Sequence, residues 1–285
     1  MEYSGIKHVF RCDSCWKYYN ENNFMKTRVV ILAAGKSKRM GADIPKVLLP
    51  IGERPMISHL LETVQKIGID PRPVIVVGSG AESVKSVLAN GYEYVVQDQQ
   101  LGTGHAVLCA EKALRGKADA IVVLYGDNPF IQPETLRKLI SLHEKSQSVG
   151  GVLRGDAGHD RPVLTMATTT VDNFEDWRKP LYDFGRIVRN SNGEIQAIVE
   201  KKDATPEELA IRELNPSFFC FKAEWLWEAL KKIDNANAQK EYYLTDLVRI
   251  AIDQGKRVLT VDANPLETIG VNTPEHLELA RKLVR

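Results

Sequence analysis

Short apolar runs alternate with amphipathic stretches through the first half of the chain. Val29–Ala33, Val74–Val77, Tyr94–Val96 and Ile121–Leu124 each predict a strand, and the first reads as buried. Between them, apolar residues recur at helical spacing over about 55–67, 81–89, 103–115 and 133–145. Gly68, Gly78-Ser-Gly80 and Asn90-Gly91 supply the turns. Strands alternating with helices predict an α/β fold, a mixed but mostly parallel sheet with helices on both faces. After Gly150 the pattern changes. Phe184–Arg189 and Ile195–Glu200, on either side of Asn192-Gly193, predict a hairpin. A strand near 214–222, helices near 223–232 and 242–254, a strand at Arg257–Val261 and a closing helix at 274–284 complete the pattern. Residues 151–182 match neither period and read as an inserted loop. No internal repeat is visible.

A chain of 285 residues can build one large domain with a full core, or two smaller ones. Lys plus Arg number 38 and Asp plus Glu 37, so no overall field favours nucleic acid or an anionic membrane. Positive charge is local instead. No apolar run approaches the roughly 18–20 residues of a membrane span, and the first 24 residues lack the apolar core of a secretory signal. Cytoplasm is the default expectation.

The densest chemistry lies at residues 31–50. The first apolar run breaks into Ala33, Ala34 and Gly35, small residues that let a backbone approach a ligand closely. Lys36, Lys38 and Arg39 follow, and Lys46 comes after a turn fixed by Pro45. Exposed backbone N–H groups beside several cations suit a triphosphate at a strand-to-loop junction. The spacing is neither G-x-x-x-x-G-K-[ST] nor G-x-G-x-x-G. A surface loop with ordinary lysines is the alternative, and Pro45-Lys46-Val47-Leu48 argues against it.

Two further motifs follow. Gln97-Asp-Gln-Gln-Leu-Gly102-Thr103-Gly104-His105 opens a helix with two glycines around a threonine, directing amides and a hydroxyl at whatever binds. A pyrimidine base needs donors and acceptors on one edge, which Gln97 and the backbone near Gly102 can offer. A plain capped helix start is the alternative, and His105 reads as structural. Tyr125-Gly126-Asp127-Asn128-Pro129 ends the fourth strand, where open α/β sheets meet their ligands. The Asp127 carboxylate suits Mg²⁺, although an Asx turn before Pro129 would also explain it. Asn272, in Ile269-Gly-Val-Asn-Thr273, is a second candidate oxygen ligand.

The L-A-A-G-K-x-x-R-M…P-K-V-L pattern resembles the sugar-1-phosphate nucleotidyltransferase family. It is most similar to the pyrophosphorylase half of bacterial N-acetylglucosamine-1-phosphate uridylyltransferases, over about residues 27–275. The resemblance implies a Rossmann-like nucleotide-diphospho-sugar transferase fold and a Mg²⁺-dependent transfer of uridylyl from UTP to a sugar 1-phosphate. It implies Arg39 and Lys46 as catalytic cations, with nucleotide contacts at Leu32, Ala33, Ala34, Gly35, Lys36, Gln97, Gly102 and Thr103. Sugar contacts would fall to Asp127, Gly185, Glu200 and Asn215, and Asp127 and Asn272 would hold the metal. Phe184 for tyrosine, Pro216-Ser217 for Thr-Gly and the 151–182 stretch depart from the family pattern and bear on which sugar is used. Taken alone, Glu200-Lys201 could be a solvated charge pair. A thymidylyl- or cytidylyltransferase, or a silent nucleotide-sugar sensor, is the alternative function. Arg39, Lys46, Asp127 and Asn272 argue against silence, since a sensor needs neither metal nor leaving-group cations. The expected partners are UTP and a sugar 1-phosphate, with no nucleic acid and no membrane.

At the ends, two regions stand apart. Residues 1–24 carry His8, Cys12 and Cys15, half of a zinc ribbon. A zinc site would need two further ligands, so the segment reads as an accessory tail, with Met25 an equal candidate for the start of the folded domain at 25–285. No hexapeptide repeat follows residue 275, so the β-helix acetyltransferase half of bifunctional family members is not expected. Cys109 and Cys220 read as core thiols.

Overall fold

The computed structural model describes residues 25–35, 40–41, 44–145 and 162–284. The zinc-ribbon candidates His8, Cys12 and Cys15 and the cations Lys36, Lys38 and Arg39 lie outside them.

Among the described residues there are twelve strands: β1 Thr27–Ala33, β2 Pro50–Ile51, β3 Arg54–Pro55, β4 Val74–Val77, β5 Glu93–Val96, β6 Ala120–Tyr125, β7 Leu164–Thr170, β8 Gly185–Arg189, β9 Ile195–Val199, β10 Glu213–Asn215, β11 Phe219–Lys222 and β12 Val258–Asp262. Ten form one sheet in the order β5-β4-β1-β6-β11-β7-β10-β8-β9, with β12 also on β7. β5, β4, β1 and β6 are mutually parallel. β11 enters antiparallel between β6 and β7.

Strands apolar on alternate sides explain the layers. Val29 and Ile31 of β1 pack with Leu60, Val64 and Ile67 of the helix Met56–Ile67 and with Leu136, Leu139 and Ile140 of the helix Pro133–Lys145. Val30 and Leu32 point the other way, into a cluster with Ala106, Val107, Leu226, Trp227 and Leu247. Each fully buried Val, Leu or Ile side chain contributes about 1.5–3 kcal/mol, and a strand with two such faces has one stable place, mid-sheet. The helix Met56–Ile67 stops at Gly68, whose φ of 67° closes it through bonds to the Val64 and Gln65 carbonyls.

Four expectations need correction. Residues 151–182 do not form a plain loop: Leu164–Thr170 is the strand β7, and a run of 3-10 turns covers Asp176–Asp183. The sequence Leu-Thr-Met-Ala-Thr-Thr-Thr hides the strand because threonines hold its inward positions. Their β-branched side chains suit a strand, and their hydroxyls find partners: Thr169 donates to the Ala263 carbonyl at 2.8 Å, and Thr165 lies 2.9 Å from His143 Nδ1. The single strand expected near 214–222 is two strands, split at Pro216 and Ser217. The helix expected at 242–254 begins only at Asp246, because Tyr242 and Leu244 bond to the loop at Leu101–Gly104 instead. Of the two thiols, Cys220 is fully buried whereas Cys109 is half-exposed.

Candidate active site

β1, β4, β5 and β6 end on the same side of the sheet, and segments at the carboxyl ends of β1, β5 and β6 line a cavity of about 450 Å³. Leu32, Ala33, Ala34 and Gly35 line it from β1, Gln97, Gly102 and Thr103 from the segment after β5, and Tyr125 and Asp127 from β6. Lys46 reaches in from the 3-10 turn Lys46–Leu48 that Pro45 initiates. Every described residue expected to bind nucleotide therefore faces one space.

The charged centre lies at one wall. Lys46 Nζ donates to Asp127 Oδ2 at 2.5 Å and to Asn272 Oδ1 at 2.8 Å. Lys46 and Asp127 are 13% and 15% exposed, so neither charge could be left alone without a penalty. Backbone bonds fix this geometry. Val271 N–H donates to the Asp127 carbonyl at 2.9 Å, Asn128 Nδ2 donates to the Thr268 carbonyl at 3.1 Å, and Gly126 N–H donates to the Leu32 carbonyl at 2.9 Å. The turn after β6 is thus clamped between the end of β1 and the segment carrying Asn272. One carboxylate oxygen and one amide oxygen converge on a single cation, here the lysine ammonium. Hard oxygen donors of this kind suit Mg²⁺. Among the described residues no group of three or more His, Cys, Asp or Glu gathers to hold a metal, here or elsewhere.

The Gln97 side chain is 4% exposed. Its Nε2 donates to the Gly102 carbonyl at 3.0 Å and lies 3.0 Å from His105 Nδ1. A carbonyl can only accept, so the orientation of the amide is fixed and Oε1 is the end left for a ligand. His105 thus has a structural part, holding Gln97, which helical spacing alone could not reveal. The Thr103 hydroxyl is less free than expected, since it accepts from Leu244 N–H at 3.0 Å. The glycines beside it serve chain approach: a Cβ on Gly102, at φ 110°, would come within 2.6–2.7 Å of the Tyr242 backbone. Gln100, missed in the sequence, donates to the Ala34 carbonyl and closes the wall.

Gly185, Glu200 and Asn215 do not line this cavity but gather beside it at the antiparallel end of the sheet, β10-β8-β9. Gly185 pairs with Asn215 in register, and a Cβ at Gly185 would stand 3.4 Å from Glu200 Oε1 and 2.8 Å from Ile198. Glu200 accepts from the Thr245 hydroxyl at 3.0 Å. Burial, reinforced by Asp203 and Asp246, pushes the Glu200 carboxyl above its usual range, and the Thr245 bond opposes that rise. Tyr125 joins the two regions. It lines the cavity, and burial together with the charges of Glu200 and Asp127 raises its phenol. On the far side of Glu200, burial and then Asp234 push Asp246 up to about 6.

A family profile described as a MobA-like NTP transferase domain matches residues 29–193. The chain belongs to this family. It is a nucleotidyltransferase, with Leu32–Gly35 and the Asp127 turn both inside the matched stretch. Among curated relatives, the bifunctional protein GlmU of an Exiguobacterium species is 40% identical over 262 residues, covering 92% of this chain and 53% of the relative. GlmU of Clostridium acetobutylicum is 39% identical over 245 residues, with 86% and 49% covered. The chain spans about half the length of the curated relatives it matches. Among solved structures, a UDP-glucose pyrophosphorylase complexed with UDP-glucose superposes with a TM-score of 0.69 at 19% identity, covering 91% of this chain and 98% of that one. A putative glucose-1-phosphate thymidylyltransferase from Bacillus anthracis gives 0.67 at 20%, covering 91% and 95%. At such identities the two confirm the Rossmann-like fold. No helix among the described residues is long and apolar enough to cross a membrane.

Proposed function

We propose that the protein transfers a uridylyl group from UTP to a sugar 1-phosphate, with N-acetylglucosamine 1-phosphate the first choice, giving a UDP-sugar and pyrophosphate. The observation that carries this reading is the convergence of Lys46, Asp127 and Asn272 at the wall of a cavity that Gln97 and Leu32–Gly35 also line. The similarity to the GlmU proteins supports the uridine and amino-sugar assignments.

The chemistry needs no general base. An oxygen of the sugar 1-phosphate is already anionic and attacks the α-phosphorus of the nucleotide. A P–O bond forms there as the bond to the β-phosphate breaks, and pyrophosphate leaves in line. The protein must hold two repelling anions together and neutralise the departing charge. Lys46 supplies a mobile positive charge at the reacting phosphates, and the family resemblance assigns Arg39 and Lys36 to the leaving group. A guanidinium can hold phosphate oxygens in a fork, whereas an ammonium acts as a point charge. Asp127 and Asn272 would hold Mg²⁺, which when bound supplies further neutralisation of phosphate charge.

Base choice follows from Gln97. With Nε2 committed to the Gly102 carbonyl and to His105, the side chain presents an acceptor. That suits the N3–H of uracil or thymine and disfavours cytosine, whose N3 accepts. Pyrophosphate release over a grid of nucleoside triphosphates and sugar 1-phosphates tests the reading. UTP with an N-acetylhexosamine 1-phosphate should give the highest kcat/KM. Greatest turnover with dTTP or CTP would reassign the nucleotide, and no turnover with any pair would favour a binding-only sensor.

A further inference from the structure

Between β10 and β11 the chain makes a turn that no element requires and that carries an unusual residue. Ser217 has φ 65°, a left-handed conformation that residues with a Cβ other than Asn or Asp seldom adopt. Glycine would sit there without strain, and the related family pattern has glycine at this position. Something must offset the strained backbone, and the hydroxyl is what glycine lacks. Asn215, 3% exposed, grips the turn with both ends of its amide. Oδ1 accepts from Ser217 N–H at 2.9 Å, and Nδ2 donates to Ser217 Oγ at 3.3 Å. Asn215 in turn pairs in register with Gly185, at the antiparallel end of the sheet.

We propose that Ser217 is a positioning residue that sets specificity for the sugar 1-phosphate: by occupying Asn215 Nδ2, its hydroxyl fixes which amide groups face the hexose. This rests on the sugar-1-phosphate reading above. With Oγ in place, the amide protons of Asn215 are partly spent on the protein. Without Oγ, Nδ2 loses that partner and turns to whichever hydroxyl or carbonyl a substrate brings. Discrimination built on groups left unpaired by the wrong ligand then weakens. The nucleotide side should feel little, because Thr103 keeps its bond from Leu244 N–H and Gln97 is held independently.

The test compares the wild type with Ser217→Gly and Ser217→Ala over a panel of sugar 1-phosphates at fixed UTP. Both variants lack the hydroxyl, whereas only the glycine relieves the backbone. Expected are a roughly tenfold loss of discrimination between the best and second-best sugar in both variants, carried by KM for the sugar, and a KM for UTP within about twofold of the wild type. Melting temperature should rise, or hold, in Ser217→Gly and fall in Ser217→Ala, so a matched loss of discrimination separates the hydroxyl from fold stability. An unchanged sugar ranking in both variants, with the wild type active, overturns the proposal and leaves the transferase reading standing. Loss confined to Ser217→Ala also overturns it, since strain rather than the hydroxyl would then be responsible. A wild type inactive on every pair removes the transferase reading and this inference together.

Discussion

Replacing Lys46 by alanine removes one positive charge from the point where the cavity wall is most polar. In the resting protein the ammonium is shared between Asp127 Oδ2 at 2.5 Å and Asn272 Oδ1 at 2.8 Å. Two unit charges about 4 Å apart at an effective dielectric near 20 attract by about 4 kcal/mol, much of it offset by desolvation at a site this little exposed. When the triphosphate enters, that ammonium can move from the carboxylate to phosphate oxygens, and its value grows as charge builds on the leaving group. Loss of one such preorganised donor typically removes about 2.7–4 kcal/mol of transition-state stabilisation, equivalent to 10²–10³ in turnover. Lys46→Ala should therefore lower kcat by on the order of 10²–10³ while nucleotide affinity, measured by calorimetry, changes far less. Steady-state pyrophosphate release gives kcat and KM separately. A variant with normal kcat and only a raised KM would refute the reasoning, because it would mean that Lys46 binds substrate and transition state equally.

Four more outcomes are expected. Asp127→Asn keeps the shape but removes the charge, so the fold should survive while turnover drops by several orders of magnitude; Asn272→Ala should be milder, since water can partly replace a neutral ligand, and equal losses would argue against unequal roles. Asp246 titrates near 6 in the folded protein against 3.8 ordinarily, so the native state holds the extra proton and stability falls as pH rises from about 4 to 6; thermal melts of Asp246→Asn should lack that fall, and a constant difference from wild type across the range would contradict the assignment. Gly102→Ala places a methyl within 2.6–2.7 Å of the Tyr242 backbone at a φ of 110°, so it should lower the melting temperature by several degrees and weaken UTP binding, whereas a normal melt would show that the loop yields. A chain beginning at Met25 should fold and keep activity, and insolubility or inactivity would show that residues 1–24 belong to the fold; zinc found in the full-length protein by elemental analysis would overturn the reading of Cys12 and Cys15 as an accessory tail.

What the sequence made legible and what it hid divide along physical lines. β1 is readable because it is apolar from Val29 onward and runs into Ala33-Ala34-Gly35, a break that local chemistry alone explains. β7 is not, because Thr165, Thr168 and Thr169 look polar in a sequence and become core only when Ala263 and His143 satisfy two of their hydroxyls. Lys46 and Asp127 each stand out as charged residues after a turn or strand, yet 81 positions separate them, and 226 separate Lys46 from Asn272. Only family resemblance could pair them in advance; the clamp of Val271 on the Asp127 carbonyl supplies the reason. His105 reads as structural from its place in the helix, but that it holds Gln97, and that Ser217 holds Asn215, was hidden, because such indirect work leaves no periodicity or motif. The departure Pro216-Ser217 was visible as a difference, but its meaning needed the positive φ.

The most direct measurement follows the phosphorus itself. UTP and N-acetylglucosamine 1-phosphate are incubated with the full-length protein and watched by ³¹P NMR, with Mg²⁺ and then with the metal chelated. In-line attack by the sugar phosphate at the α-phosphorus predicts a diphosphate diester and pyrophosphate appearing in equal amounts, at a rate that vanishes without the metal. Unchanged substrates in Mg²⁺, or release of UMP or inorganic phosphate with no diester formed, would contradict the account.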